Sequence, residues 1–259
     1  MMSAADTGNV NRRRQHIWVI LPAYNEELSL PPLLERIDES MFEAGLTYRV
    51  LLVDDGSKDD TLKVAEDFAT RIPLTIEKHE VNMGLGATIR DGLLKVSELA
   101  EPNDILVTMD ADNSHTPALI QRMVRQVREG HDVVIASRYQ RGSSIRGVSL
   151  GRRALSYWGG WLFRIMFPIH GVRDYTCGYR AYRAEVMQRV AAKYGKEFFD
   201  QEGFQCMVDI LLKLRRMDLI FGEVPFVLRY DMKEGASKMN IFKTIKNTLG
   251  LMAKRRMGG

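Results

Sequence analysis

At 259 residues, with 45% hydrophobic and 27% charged side chains, the chain has the composition of a soluble globular protein and the length of one large domain or two small ones. Its two cysteines, Cys177 and Cys206, lie far apart without histidine company, which argues against a disulfide framework or a zinc site and fits a reducing cytoplasm. The net charge of +4 is modest, and the basic clusters at 12–14, around 138–153 and at 254–256 carry no nucleic-acid signature; anionic phosphates or a membrane surface suit them better.

The polar N-terminus, 1–15, has no apolar core of the kind a secretory signal needs and reads as a disordered basic segment. A globular domain is expected over 16–239. In its first half, strand-like runs at 17–21, 49–54, 74–78, 105–109 and 133–136 alternate with helical patterns near 30–44, 60–70, 86–99 and 117–129. That alternation predicts an α/β fold with a mostly parallel sheet and helices on both faces. The second half changes texture. An amphipathic helix is expected over 151–167, with Leu155, Trp158, Leu162 and Ile165 on one face. A turn with Asp174 and Gly178 follows, then a strand at 179–183, a helix, and a further helix at 204–214. The run 220–230 reads as one long strand that Pro225 confines to a sheet edge. A basic amphipathic helix closes the chain at 240–259, with Ile241, Ile245, Leu249 and Met252 at helical spacing. No run reaches the roughly 18 consecutive apolar residues of a spanning helix.

Chemistry concentrates where strands end. Asp110 and Asp112 follow the apolar run 105–108, at the tip where open α/β sheets place ligands. Two carboxylates so close favour a hard cation such as Mg²⁺ or Mn²⁺ shared with phosphate; the alternative is a turn whose aspartate caps the helix near Pro117. Pro22-Ala23-Tyr24-Asn25-Glu26 ends the first strand, offering a flat wall for a base and a carboxylate for a ribose. Asp54-Asp55-Gly56-Ser57 ends the second, where Asp55 is placed to accept from a base N–H. Gly84-Leu85-Gly86 follows the third but lacks the third glycine of a dinucleotide fingerprint and the lysine of a P-loop. His115 is either a supporting group beside the aspartates or an ordinary packed histidine.

Together with Ser137-Arg138-Tyr139, these motifs in this order resemble a family 2 glycosyltransferase of the GT-A, nucleotide-diphospho-sugar transferase fold. Within it they are similar to dolichol- or polyprenyl-phosphate mannosyltransferases of the type without transmembrane helices, over about 17–240. The resemblance implies that Pro22, Tyr24, Glu26, Asp55, Gly84, Asp110, Ala111 and Asp112 bind a nucleotide-sugar, with GDP-mannose the first choice. It implies a Mg²⁺ or Mn²⁺ ion on Asp110, Asp112 and Ser114. Arg138 and Arg152 match phosphate-binding, catalytic positions, and Asp174, Arg229 and Lys238 belong with them around donor or acceptor phosphate. The acceptor would be polyprenyl or dolichyl phosphate. Such a phosphate is already anionic, so it attacks the anomeric carbon without a general base, and positioning with leaving-group stabilisation drives an inverting transfer. A saccharide or protein hydroxyl acceptor would instead need a base, with Asp174, Glu202 or Asp209 as candidates. A non-catalytic nucleotide-sugar-binding subunit is the reading from another class. The aromatic stripe Trp158, Trp161, Phe163 and Phe167, flanked by Arg152, Arg153 and Arg164, and the basic C-terminal helix are expected to hold the enzyme peripherally on a cytoplasmic membrane face, with a membrane-anchoring subunit as a further partner and no nucleic acid.

Overall fold

The computed structural model describes residues 14–148, 160–198, 201, 203, 205–232 and 250. The N-terminal segment, nearly all of the C-terminal helix expected at 240–259, and Arg152, Arg153, Trp158, Glu202 and Lys238 lie outside the described residues. Short β-branched runs form the sheet: β1 (His16–Ala23), β2 (Thr47–Asp54), β3 (Leu74–Lys78), β4 (Ile105–Thr108) and β5 (Val133–Ser137). Between them lie α1 (Leu30–Glu43), α2 (Thr61–Ala69), α3 (Leu85–Leu99) and α4 (Leu119–Arg128). Helix α1 shows why these stretches coil. Prolines occupy its first turn, where no N–H is missed, and Leu30, Leu33, Leu34, Ile37 and Met41 recur at helical spacing on its buried side.

Three parallel neighbours, β3, β2 and β1, continue into β4, then β7 (Arg180–Arg183), β5 and β8 (Phe221–Pro225), giving a seven-stranded sheet. Every pairing is parallel except those of β7, which runs antiparallel to both β4 and β5. That reversal matters for position. The segment entering β7 starts at the edge where the parallel strands finish, so 174–179 faces the ends of β4 and β5. Helices α5 (Ala184–Tyr194) and α6 (Cys206–Leu214) follow. Among the described residues, no helix is long and apolar enough to cross a membrane.

Two expectations change. The run 220–230 is two strands, not one. β8 ends at Pro225, and β9 (Val227–Arg229) leaves for a separate two-stranded sheet with β6 (Ser144–Arg146). Proline has no N–H to continue a ladder, and the buried Phe226 pivots the chain, its own N–H reaching the Ser137 carbonyl at 3.1 Å. Pro225 does lie on an edge strand. In the described part of the expected 151–167 helix, residues 160–166, the stripe also divides. Phe163 and, just beyond, Phe167 are buried, whereas Trp161 and Ile165, four residues apart on one face, are exposed.

Candidate functional site

The register of the sheet assembles the site. Ala23 pairs with Asp54 across β1 and β2, so the two strand-end motifs begin side by side. Hydrogen bonds then bind the loops together. Asn25 N–H donates to Ser57 Oγ (2.9 Å), Glu26 N–H to Thr61 Oγ1 (2.7 Å), and Lys58 N–H to Asn25 Oδ1 (2.8 Å). Asn25 takes a left-handed φ of 52°, which its short polar side chain tolerates. Pro22 and Tyr24 are half-buried at the mouth of this double loop, beside Glu26.

Asp55 is the hub of the next contact. Its Oδ1 accepts from Met83 N–H (2.8 Å) and its Oδ2 from Gly84 N–H (2.9 Å). One buried carboxylate therefore fixes the loop that starts α3. Two glycines make the approach feasible. Gly84 sits at φ 88°, and a Cβ on Gly56 would stand 2.8 Å from the Val81 carbonyl carbon.

Asp110 and Asp112 occupy the turn after β4, next to the end of β1, since Met109 N–H donates to the Ile20 carbonyl (3.2 Å). The capped-helix alternative fails here: α4 starts at Leu119 with Ala118 in the cap position and no side-chain cap. The side chain of Asp110 is 42% exposed, while Asp112 and Ala111 are buried. Ser114 stands directly against Asp112, donating both its N–H (3.1 Å) and its hydroxyl (2.6 Å) to Oδ1. His115 turns inward. Its ring stacks on Tyr179 at 4.9 Å and meets Phe226 edge-on, and its Nδ1 accepts the Asp110 N–H (3.1 Å). That leaves Nε2 to carry the ring proton in the neutral tautomer, 3.6 Å from Asp110 Oδ2. The histidine thus packs and braces the turn.

Arg138 and Asp174 form a buried, two-pronged ion pair, Nε and Nη2 against the carboxylate at 2.8 and 2.7 Å. Asp174 also accepts backbone N–H groups of Arg138, Thr176 and Cys177. Burial works against both charges, but the pairing outweighs it, holding Asp174 below and Arg138 above their ordinary ranges. Asp174 is therefore ill-suited to take a proton. Asp209 is equally committed, buried and 2.9 Å from Lys213 Nζ. Arg138 and Arg164 both lie over the Tyr139 ring, so Arg164 points toward the site rather than to the flank of an outward face. Burial pushes the thiols of Cys177 and Cys206 up to about 12, and both are inert free cysteines. Arg229 joins the acidic turn through its backbone, donating to the Ser114 carbonyl (3.2 Å), while its side chain pairs with Asp231 (3.0 Å).

Residues 18–191 match the family described as Glycosyl transferase family 2. The chain belongs to glycosyl transferase family 2. It is 30% identical over 238 residues to a dolichol-phosphate mannosyltransferase of Pyrococcus furiosus, covering 90% of this chain and 63% of that protein. So the chain spans a little under two thirds of that relative's length. It is 31% identical to a polyprenol monophosphomannose synthase of Mycolicibacterium smegmatis (88% of this chain, 83% of the relative). An undecaprenyl-phosphate mannosyltransferase of Micrococcus luteus is 32% identical (86% and 87%). Among solved structures, glucosyl-3-phosphoglycerate synthase of Mycobacterium tuberculosis with Mg²⁺ and UDP superposes with a TM-score of 0.63 at 19% identity, over 93% of this chain and 79% of that one. TarS of S. aureus with UDP-GlcNAc gives 0.60 at 18% identity, over 95% and 67%. These likenesses show the GT-A fold.

The donor set of this family 2 chain suits a particular kind of ion. Asp110 and Asp112 supply hard oxygens, yet among the described residues no group of three or more His, Cys, Asp or Glu side chains encloses a metal. Such a pair fits Mg²⁺ or Mn²⁺, which complete their shells with water and phosphate oxygens rather than a protein cage.

Other residues that shape the site carry no sequence signal. Arg36 of α1 reaches Asn113 in the acidic turn, and burial together with the charge of Arg229 lowers its pKa. Arg180, buried, binds the carbonyls of Cys177, Met207 and Tyr175 and so shapes the loop beside Asp110. Glu223 Oε1 accepts from the N–H groups of Arg173 and Asp174 (2.6 and 2.7 Å). Arg180 lies in the strand expected at 179–183, but only the fold reveals that it points inward.

Proposed function

We propose that this chain is a metal-dependent, inverting glycosyltransferase that moves mannose from GDP-mannose to a polyprenyl or dolichyl phosphate. The observation that carries the acceptor choice is the commitment of the two base candidates among the described residues, Asp174 and Asp209. Asp174 is locked to Arg138 and Asp209 to Lys213, so neither is available to deprotonate a sugar hydroxyl. A lipid phosphate needs no such base, because its oxygen is already anionic at neutral pH. The curated relatives, by their names, are mannosyltransferases to dolichol, polyprenol or undecaprenyl phosphates, which agrees with this reading.

In this reading the double loop of β1 and β2 receives base and ribose, with Pro22 and Tyr24 as walls and Glu26 and Asp55 as acceptors. Gly84 lets the start of α3 approach the donor. Asp110 and Asp112 would hold the divalent cation, which neutralises the diphosphate of the bound donor and of the departing nucleoside diphosphate. Ser114 and His115 keep that turn in shape. Arg138, with Arg152, Arg229 and Lys238, attracts and orients phosphate, and Asp174 fixes the fork of Arg138. Attack in line on an α-linked donor gives a β-linked lipid phosphate sugar. The outward face at Trp161 and Ile165 would rest on the membrane that holds the acceptor lipid.

The test is incubation of the full chain with Mn²⁺ or Mg²⁺, a panel of GDP- and UDP-sugars and polyprenyl phosphate, followed by mass spectrometry. A mannosyl phospholipid formed from GDP-mannose and abolished by EDTA or by Asp112→Ala is expected. Transfer only to saccharide or protein hydroxyls would overturn the acceptor assignment, and nucleotide-sugar binding without turnover would make the chain a binding subunit.

A further inference from the structure

His79 lies just beyond β3, where its backbone N–H donates to the Asp54 carbonyl (2.8 Å). Its ring is wedged between two carboxylates. Nδ1 is 2.8 Å from Asp55 Oδ1, and Nε2 is 3.3 Å from Asp91 Oδ2 on α3; the side chain is only 11% exposed. Asp91 is itself gripped by Arg90 through two bonds of 2.7 and 2.8 Å. The Asp91 contact thus has a substitute cation, whereas among the described residues the other hydrogen bonds to Asp55 come from the backbone N–H groups of Met83 and Gly84. Oδ1 of Asp55 is shared between the imidazole and Met83 N–H. The imidazole therefore fixes the plane of a carboxylate that also ties down the loop 82–84.

We propose that His79 is a positioning residue for the nucleotide: through Nδ1 it sets the orientation of Asp55 and of the 82–84 loop, and donor affinity depends on this bond rather than on the contact with Asp91. The inference rests on the reading of the strand ends as a nucleotide-sugar site. It assigns His79 no contact with substrate. Its effect is on binding, since β1 lies between β2, which leads into Asp55, and β4, which leads into the acidic turn where the transfer would occur.

Amide side chains separate the two ring nitrogens. His79→Asn places an amide N–H where Nδ1 was and keeps the Asp55 bond; His79→Gln reaches toward Asp91 and loses it. Binding of GDP and UDP with Mn²⁺ to the full chain is measured by titration calorimetry, beside thermal melting and steady-state kinetics. His79→Asn is expected to bind within about threefold of wild type and His79→Gln to bind about tenfold or more weakly, as expected for one lost charge-assisted hydrogen bond. The loss is expected in donor KM, with kcat little changed. Asp91→Asn, which leaves the Asp55 bond in place, is expected to bind like wild type, and it decides the matter with His79→Asn should His79→Gln fail to fold. Equal effects of Asn and Gln at position 79, or weakened binding by Asp91→Asn, would overturn the role of His79 alone. Wild type binding neither nucleotide would overturn the nucleotide site itself, and this role with it.

Discussion

At Ser114 a single oxygen atom separates two jobs. Its hydroxyl donates to Asp112 Oδ1, and its backbone N–H donates to the same atom. Ser114→Ala removes the first bond and leaves the second, so the turn should keep its shape at a cost of about 0.5–1.5 kcal/mol. Residues that orient metal ligands typically change metal affinity by about 10–100-fold. Activity titrated with Mn²⁺ should therefore show a half-saturating concentration raised about tenfold, with little change in the maximal rate. Arg138 calls for a different argument, since Asp174 is buried against it. Arg138→Ala strands a buried carboxylate and should destabilise the chain by about 3–5 kcal/mol in denaturant unfolding. The pair also has a pH signature. Asp174 is held below its ordinary value, so its contribution is complete above the unfolded pKa of about 4 and is lost as pH falls further, through its folded value. Wild-type stability should fall in that acid window, and Asp174→Asn should flatten part of the fall.

Glu223 shows how an element serves the site from behind it. It lies in β8, pairs across to Ile135 of β5, and holds the turn of Arg173 and Asp174 through two backbone bonds. Burial raises its pKa, more than those N–H groups lower it. The sign is then opposite to that of Asp174: the contribution of Glu223 is complete below the ordinary glutamate value of about 4.3 and is lost as pH rises through its folded value. Glu223→Gln keeps an oxygen for both N–H groups and cannot ionise. The difference in melting temperature, variant minus wild type, should grow more positive from about pH 5 to about pH 8. A constant difference would mean that Glu223 stays in one protonation state across that range. The sequence carries no signal for this role, because the run 220–230 reads only as one long strand at a sheet edge. Hydrophobic period identified the first five strands and their tips, and hence the motifs at 22–26, 54–57 and 110–112. It does not encode strand direction or partner. The antiparallel insertion of β7, the break at Pro225 and the pairing of β6 with β9 come from tertiary packing. The sequence places Asp174 with Arg138 around phosphate, or as a candidate base, and only the meeting of β5 with the segment before β7 shows the two bound to each other.

At the scale of the whole molecule, the proposed lipid acceptor requires a chain without a spanning helix among its described residues to meet a membrane surface. The helical stretch 160–166 turns Phe163 into the core and leaves Trp161 and Ile165 outward, at 46% and 58% exposure. Arg164 is occupied over Tyr139, so this face is apolar rather than basic, and the sequence places basic residues instead at Lys243, Lys246, Lys254, Arg255 and Arg256. Apolar and electrostatic contributions can then be separated. The full chain should sediment with vesicles containing phosphatidylglycerol at low salt. Raising the salt shortens the Debye length from about 10 Å at 0.1 M to about 3 Å at 1 M and should weaken only the basic part. Burying one large apolar side chain contributes about 1.5–3 kcal/mol, so Trp161→Asp with Ile165→Asp should lower partitioning by at least about tenfold, at high and low salt alike. Because both positions are exposed, melting temperature and nucleotide binding should hardly move. Transfer to polyprenyl phosphate in vesicles should fall in proportion to the partitioning, whereas transfer to a short-chain acceptor in solution should persist. Unchanged vesicle binding in the double variant would remove this face from the membrane contact and leave the basic segments to make it alone.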